Sequence, residues 1–448
     1  MRQGQQTNWH TLIVGLGKTG LSIARYLSAQ DVSFAVMDTR EAPPSADVLR
    51  DEFVGVACYF GGLNAEVMCR AQRMIVSPGI ALATPEIEKA RSLGIEVIGD
   101  IELFAREAKA PIIAITGSNG KTTVTTLLDK MARKAGVKVA TGGNIGMPVL
   151  ELLKLRKTEL FILELSSFQL ETTNSLKCRA ACILNITEDH LDRYAGRFDL
   201  YAAAKAKIYK NCELKIVNRD DKAVVNLASD SRAVTFGSGP TYTGHFGILL
   251  ELGKRWLAKG EEKLLCTAEM KVAGKHNEVN ALAALALAES AGLDRQACLE
   301  VLREFEGLAH RTQWVGQHNG IHWYNDSKGT NVGATVAALQ GLPSKTVLLA
   351  GGQGKGADFS PLADVVQKHA RAVVLFGEDA ELIALALKGD IPIVFAKDMT
   401  DAIKQACDLA CIGDNVLLSP ACASFDMFDN YEQRGHAFIE TVQREVLC

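Results

Sequence analysis

The run Thr116-Gly117-Ser118-Asn119-Gly120-Lys121-Thr122 carries residue types that hold phosphate. Glycines expose backbone N–H groups, the positive end of a following helix favours anions, and Lys121 adds a mobile full charge. The Thr122 hydroxyl is spaced to ligate magnesium. The usual G-x-x-x-x-G-K-[ST] pattern is broken, because Ile115 occupies its first glycine position. The context still fits: residues 111–115 read as a buried strand, and Val124, Leu127, Leu128, Met131 and Ala132 line one face of a helix. Gly117, Ser118, Asn119, Gly120, Lys121, Thr122 and Thr123 are therefore expected to bind a nucleotide. Glu164 ends the strand-like run Leu160-Phe161-Ile162-Leu163, where a carboxylate can hold the nucleotide's magnesium directly or through water. The alternative is a carboxylate that caps the backbone of Ser166 or Ser167. Asp189 and His190 follow another strand and can add a metal ligand, although a lone His is more often a satisfied polar residue.

Two further glycine loops can bind anions. Gly15-Leu16-Gly17-Lys18-Thr19-Gly20 follows a strand, and Asp38 ends the next one. This is a dinucleotide fingerprint, in which a helix N-terminus meets a pyrophosphate and Asp38 accepts from ribose hydroxyls. A UDP-sugar offers the same groups, so the pattern does not require NAD. An oxidoreductase would also leave Lys121, Thr122 and Glu164 without a use. Near the C-terminus, Gly351-Gly352-Gln353-Gly354-Lys355-Gly356 and Ser419-Pro420-Ala421-Cys422-Ala423-Ser424 each follow a strand, with Lys355 available for a carboxylate.

The elements that must position these loops alternate. Leu12–Val14, Phe34–Met37, Met74–Val76 and Glu96–Ile98 are β-rich runs with helices between them. One helix is marked by Thr84 as N-cap, Pro85 as first residue and Gly94 as stop. A second unit holds the phosphate loop and strands at Leu160–Leu163 and Ala181–Ile186, and residues 215–271 read as β-rich and irregular. Strands at Val347–Leu349, Val373–Phe376, Ile393–Phe395 and Val416–Leu418 restart the alternation. The expected fold is α/β in three domains: Rossmann-like at 1–99, P-loop ATPase-like with a mostly parallel sheet and a smaller β-rich part at 100–307, and Rossmann-like at 308–448.

A chain of 448 residues is long enough for about three domains. Its 49 basic and 52 acidic residues form no long run of either sign, which argues against nucleic acid as a partner. No apolar run approaches the roughly 18 residues of a membrane span, and no signal peptide is visible. A cytoplasmic location is expected. The eleven cysteines form no Cys-x-x-Cys pair, which fits free thiols in a reducing compartment.

Taken together, residues 116–122, Leu163-Glu164-Leu165-Ser166-Ser167-Phe168-Gln169, Thr187-Glu188-Asp189-His190, His276-Asn277-Glu278-Val279-Asn280 and Asn325-Asp326-Ser327-Lys328 resemble the Mur ligase family along nearly the whole chain. Gly142-Gly143-Asn144-Ile145-Gly146, Ser77-Pro78-Gly79-Ile80-Ala81 and the serine loop resemble its D-glutamate-adding branch. The resemblance implies that ATP phosphorylates the alanyl carboxylate of UDP-N-acetylmuramoyl-L-alanine and that the D-glutamate amine displaces phosphate. It implies catalytic roles for Lys121, Asn144, His190, Lys205 and Arg311, and ATP contacts from Asn280, Arg311 and Asp326. For the UDP-precursor it implies Gly17, Lys18, Thr19, Asp38, Thr39, Ser77, Gly79, Asn144 and His190. For D-glutamate it implies Thr330, Lys355, Ser424 and Tyr431, with Lys328 adding positive potential. Two magnesium ions are implied, one on Thr122 and Glu164, the other on His190 and a carbamylated Lys205. From the residues alone, Lys205 is a solvated helical lysine. Lys18, Tyr431 and Gly329 depart from the family's commoner residues. A monomer is expected.

Overall fold

A computed structural model describes residues 9–228, 233–272, 274–387 and 389–447. The first sheet holds β1 (Thr11–Val14), β2 (Phe34–Asp38), β3 (Ala57–Phe60), β4 (Arg73–Val76) and β5 (Glu96–Ile98), all parallel in the order β3-β2-β1-β4-β5. Every residue of β1 and β2 is buried, because helices cover both faces of a parallel sheet. The order reverses at β1, and the glycine loop leaves β1 at that switch point, where crevices open in such sheets. The helix Pro85–Ser92 starts at Pro85 as expected. Thr84 stands at its N-cap without capping it, and its hydroxyl donates to the Ala81 carbonyl instead.

The second sheet comprises β6 (Ile112–Thr116), β7 (Val139–Gly143), β8 (Leu160–Glu164), β9 (Ala180–Ile183), β10 (Lys215–Asn218) and β11 (Ala233–Phe236), parallel in the order β11-β10-β9-β6-β8-β7. β12 (Phe246–Glu251), β13 (Lys254–Lys259) and β14 (Glu262–Cys266) form a separate antiparallel sheet. Between the two lies the helix Lys275–Ser290, in which every residue from Ala281 to Ala288 is buried. A helix apolar on all sides must be enclosed, and the small antiparallel sheet helps to enclose it.

The third sheet contains β15 (Gln313–His318), β16 (Ile321–Asn325), β17 (Thr346–Gly351), β18 (Ala370–Phe376), β19 (Ile393–Phe395) and β20 (Asn415–Leu418), in the order β15-β16-β20-β17-β18-β19. Only the edge strand β15 runs antiparallel. The α/β class, with three wholly or mainly parallel sheets, is as expected from the sequence. No helix among the described residues is long and apolar enough to cross a membrane, and the described cysteines carry no disulfide.

Candidate active site

The phosphate loop leaves β6 between its neighbours β8 and β9. Thr116 ties it down by donating from Oγ1 to the Leu165 carbonyl at 2.7 Å. Gly117, at φ +154°, and Gly120, at φ +83°, adopt backbone that side chains disfavour. A Cβ on Gly120 would also stand 2.6 Å from Asn280 Oδ1. Gly120 is the N-cap of the helix Lys121–Lys134 and offers no side-chain cap, which leaves the first-turn amides open to an anion. Lys121 curls over the loop, its Nζ donating to the carbonyls of Gly117 (2.7 Å) and Ser118 (2.8 Å).

Glu164 is buried at the end of β8. Its Oε1 accepts from Asn144 Nδ2 at 2.8 Å, and Oε2 has no hydrogen-bond partner among the described residues. It caps neither Ser166 nor Ser167; Ser166 pairs with Gln169 in a capping box instead. An unpartnered buried carboxylate oxygen suits a hard cation, and the Thr122 hydroxyl belongs to the same loop region. No cluster of three His, Cys, Asp or Glu side chains is assembled among the described residues, so a cation here would draw most of its ligands from phosphate and water.

Lys205 overturns its reading as a solvated lysine. It lies in the helix Phe198–Ala206 and is 2% exposed, because Tyr201, Ala202 and Ala204 of that helix also turn inward. Its Nζ donates to the Gly117 carbonyl at 2.8 Å and sits 4.6 Å from the centre of the Tyr201 ring. Burial pushes its pKa far down, and the Lys121 charge pushes the same way. His190, at φ 54°, places Nε2 3.7 Å from Asp189 Oδ1 and packs edge-on to Phe168. Burial also lowers its pKa; the Asp189 charge opposes that shift, and the Lys355 and Lys121 charges add to it.

Arg311 reaches the loop from the start of the third unit, donating from Nη2 to Thr122 Oγ1 at 2.8 Å. Asp326 is buried behind it and accepts from Ser419 Oγ (2.8 Å) and the Thr312 amide (3.0 Å); desolvation raises its pKa to about 6. Between the second and third units lies a cavity of about 840 Å³, bounded by Asn119, Thr123, Asn280, Arg311, Asp326 and Trp314. Its volume suits a nucleotide.

Lys328 Nζ lies 3.8 Å from the Tyr431 ring centre, and burial lowers its pKa to about 8. Thr330 is half-buried and Ser424 buried. Lys355, at φ 54°, is exposed, with Nζ 5.3 Å from the Phe425 ring.

The N-terminal loop differs from expectation at Asp38. Its carboxylate is buried and accepts from the Leu16 amide (2.6 Å) and from the backbone and guanidinium of Arg40. Both oxygens are engaged within the protein, so Asp38 shapes the loop from behind rather than standing open for hydroxyls. Ser77 is buried and donates to the Gly15 carbonyl at 2.8 Å. Gly17 and Gly79 have open space where a Cβ would stand; Lys18 and Thr39 are exposed and Thr19 is half-buried.

The structure thus gathers Lys121, Thr122, Asn144, Glu164, Lys205, Arg311 and Asp326 around the phosphate loop, and leaves Gly17, Lys18, Thr19, Asp38 and Thr39 on the separate N-terminal sheet. Arg193 links the two regions. It donates to the carbonyls of Pro78 and Ile80 while paired with Glu171. Sequence reasoning missed Arg193, whose position carries no local motif.

It also missed Arg434. This fully buried guanidinium donates to Ser327 Oγ and to the carbonyls of Ser327, Cys422 and Ala423, stapling the Asp326-Ser327-Lys328 turn to the serine loop. Burial depresses its pKa to about 10. Arg434→Leu leaves those acceptors unpaired, so a loss of roughly 3–5 kcal/mol in urea unfolding is expected, by analogy with breaking a buried charged network. A loss under about 1 kcal/mol would mean the staple is dispensable.

Three family models match: "Mur ligase MurD-like, N-terminal domain" at residues 9–99, "Mur ligase middle domain" at 115–288 and "Mur ligase, glutamate ligase domain" at 310–422. The UDP-N-acetylmuramoylalanine–D-glutamate ligase of Nitrosococcus oceani is 50% identical over 441 residues, covering 98% of this chain and 97% of that protein. The enzyme of the same name from Pseudomonas savastanoi pv. phaseolicola is 52% identical over 438 residues, covering 96% and 97%. Among solved structures, a pseudomurein peptide ligase type C from Methanothermus fervidus has a TM-score of 0.61 at 18% identity, covering 98% of this chain and 100% of that one. UDP-N-acetylmuramate-alanine ligase from Thermotoga maritima has a TM-score of 0.58 at 21% identity, covering 98% and 100%. These two likenesses are ones of fold.

Proposed function

The chain belongs to the Mur ligase family, and from that premise we propose that it joins D-glutamate to UDP-N-acetylmuramoyl-L-alanine with ATP, a step of peptidoglycan precursor synthesis. One observation carries the reading furthest: Arg311 of the third unit donates to Thr122 of the second unit's phosphate loop, beside the unpartnered Glu164 oxygen. A phosphoryl-transfer site and an amino-acid unit therefore meet at one place. Residues 1–99 take the UDP-precursor, 100–307 take ATP and 308–448 take the amino acid.

A carboxylate is a poor acceptor for an amine until it is activated. The γ-phosphoryl group passes from ATP to the alanyl carboxylate, ADP leaves, and the acyl phosphate carries a competent leaving group. The D-glutamate amine then attacks the acyl carbon, phosphate departs and the amine loses a proton. Lys121, the first-turn amides of Lys121–Lys134 and Arg311 neutralise the charge on the transferring group. Gly117, Ser118, Asn119, Gly120, Thr122 and Thr123 shape its cradle, and Asn280 and Asp326 line the nucleotide cavity. Asn144, held by Glu164, lies beside the reacting carboxylate with His190.

Thr122 and Glu164 would hold one magnesium ion, and His190 with a carbamylated Lys205 a second; such ions supply positive charge to the phosphates. Gly17, Lys18, Thr19, Thr39, Ser77 and Gly79 receive the uridine diphosphate, with Asp38 holding the Leu16 amide behind them. Thr330 and Lys355 take the α-carboxylate of D-glutamate, Ser424 and Tyr431 its γ-carboxylate. Holding acyl phosphate and amine together supplies effective molarities on the order of 10⁵ M. We place the enzyme in the cytoplasm as a monomer.

ADP release, followed with mass analysis of the product, should require UDP-N-acetylmuramoyl-L-alanine and D-glutamate together. Equal turnover with L-glutamate, or none with D-glutamate, would sink the assignment.

A further inference from the structure

The phosphate loop and the helix Val332–Gly341 of the third unit meet at a pair of primary amides. Asn119 Nδ2 donates to Asn331 Oδ1 at 3.2 Å, and Asn331 Nδ2 returns a bond to Asn119 Oδ1 at 3.1 Å. Asn331 Nδ2 also donates to Asp189 Oδ2 at 3.2 Å. The surroundings fix which end of each amide is oxygen. Asn331 is the N-cap of its helix and Oδ1 accepts from the Ala334 amide at 2.9 Å, so Nδ2 must face the acceptor-only Asp189. With Asn331 so fixed, Asn119 can orient in only one way.

Two independent features show that this contact is built closely. Asn331 is buried, although it lies where two units abut. Next to it, a Cβ on Gly333 would stand 2.9 Å from Thr187 Oγ1, so the first turn of the helix packs against the loop that follows β9 with no room for a side chain. At its other end Asn119 is anchored by its own amide, which donates to Asn185 Oδ1 at 2.8 Å. Immediately before Asn331, the Thr330 amide donates to the Lys328 carbonyl at 2.8 Å in a tight turn. A shift of Asn331 is therefore passed to Thr330 and Lys328 with little slack.

We propose that Asn331 is a positioning residue that couples the phosphate loop to the turn Lys328-Gly329-Thr330, so that nucleotide occupancy sets the placement of the amino-acid contacts. The coupling rests on the reading above that Thr330 and Lys328 face the amino acid. Neither asparagine touches that substrate; both act through the backbone they hold.

Two variants keep the helix cap while removing the bond that Asn331 donates to Asn119. Asn331→Ser retains a capping hydroxyl too short to reach Asn119, and Asn331→Asp retains reach and cap but loses the donor and faces Asp189. Both should raise the apparent KM for D-glutamate at least tenfold and lower kcat severalfold. Affinity for the non-hydrolysable analogue AMP-PNP should stay within twofold. A D-glutamate KM within twofold of the wild type in both variants would overturn the proposal. In the Asn119→Ala background, Asn331→Ser should add little to the KM effect, and full additivity would likewise overturn it.

Amide hydrogen exchange reads the coupling without turnover. AMP-PNP should slow exchange across residues 326–334 severalfold in the wild-type protein and not in Asn331→Ser. No nucleotide-dependent change in the wild type would overturn the coupling. Exchange coupling that persists in a protein indifferent to D-glutamate would support the coupling and sink the substrate assignment instead.

Discussion

Lys205→Met should lower kcat for ligation by about 10³-fold or more while raising the melting temperature, a pairing expected of a residue retained for chemistry at a cost in stability. Lys205 is 2% exposed, and its Nζ donates to the Gly117 carbonyl that Lys121 already uses. Burying an ammonium without a carboxylate bonded to it costs several kcal/mol unless the proton leaves. Its pKa is accordingly far below the ordinary 10.5, with burial the main cause and the Lys121 charge the next. The sign follows from linkage. The unfolded chain holds this proton more tightly than the native one, so the group penalises folding at neutral pH and the penalty fades as pH rises toward 10.5. Methionine removes the penalty with a side chain of similar shape. In carbon-dioxide-depleted buffer the gain in melting temperature should therefore be larger at pH 7 than near pH 10. A lowered pKa favours the neutral amine, the form that attacks carbon dioxide to give an N-carboxylate and release a proton, and this supports the carbamate. A 13C resonance from 13CO2-treated wild-type protein, absent in Lys205→Met, checks it. AMP-PNP binding should persist in the variant. Near-normal kcat in Lys205→Met would remove the carbamate from the mechanism.

The legible parts were those whose signal is local. Parallel strands such as β1, β8 and β18 are short buried apolar runs, and the phosphate loop lies within a few residues of its strand and helix. The edge strand β3 has only one fully buried residue, and the hairpin of β15 and β16 mixes Gln, His, Gly and Asn with its aromatics, so neither shows a strand period. At Asp38 the fingerprint marked the right strand end but missed that Arg40, two residues on, closes the carboxylate. Lys205 was illegible because burial is a tertiary fact; the small residues Ala202 and Ala204 beside it were the available hint of close helix packing. Asn119 and Asn331 are separated by 212 positions, and their pairing is a tertiary fact with no local pattern to announce it.

Arg311→Lys should lower kcat by about 10²–10³-fold with less than a tenfold change in the apparent KM for ATP and little change in stability. Arg311 is held in a kink: His310 and Thr312 on either side adopt φ 60° and 44°, left-handed backbone that costs roughly 1–2 kcal/mol for each non-glycine residue. The kink is stabilised from both ends, since the His310 amide donates to Gln313 Oε1 and the Thr312 amide to Asp326 Oδ1. Such strain persists where the surrounding structure fixes a side chain, here one whose guanidinium meets Thr122 Oγ1 at 2.8 Å. Burial lowers the pKa of Arg311, while Glu164 and Asp326 oppose that shift, and an arginine remains charged at neutral pH. Lysine keeps the charge but not the planar fork, so it can neutralise one phosphoryl oxygen without bridging from the third unit to the loop. The loss should fall on the phosphoryl-transfer step. Single-turnover formation of ADP in Arg311→Lys should slow as much as steady-state turnover does. A variant that transfers phosphoryl at the wild-type rate but turns over slowly would instead assign Arg311 to domain closure or product release.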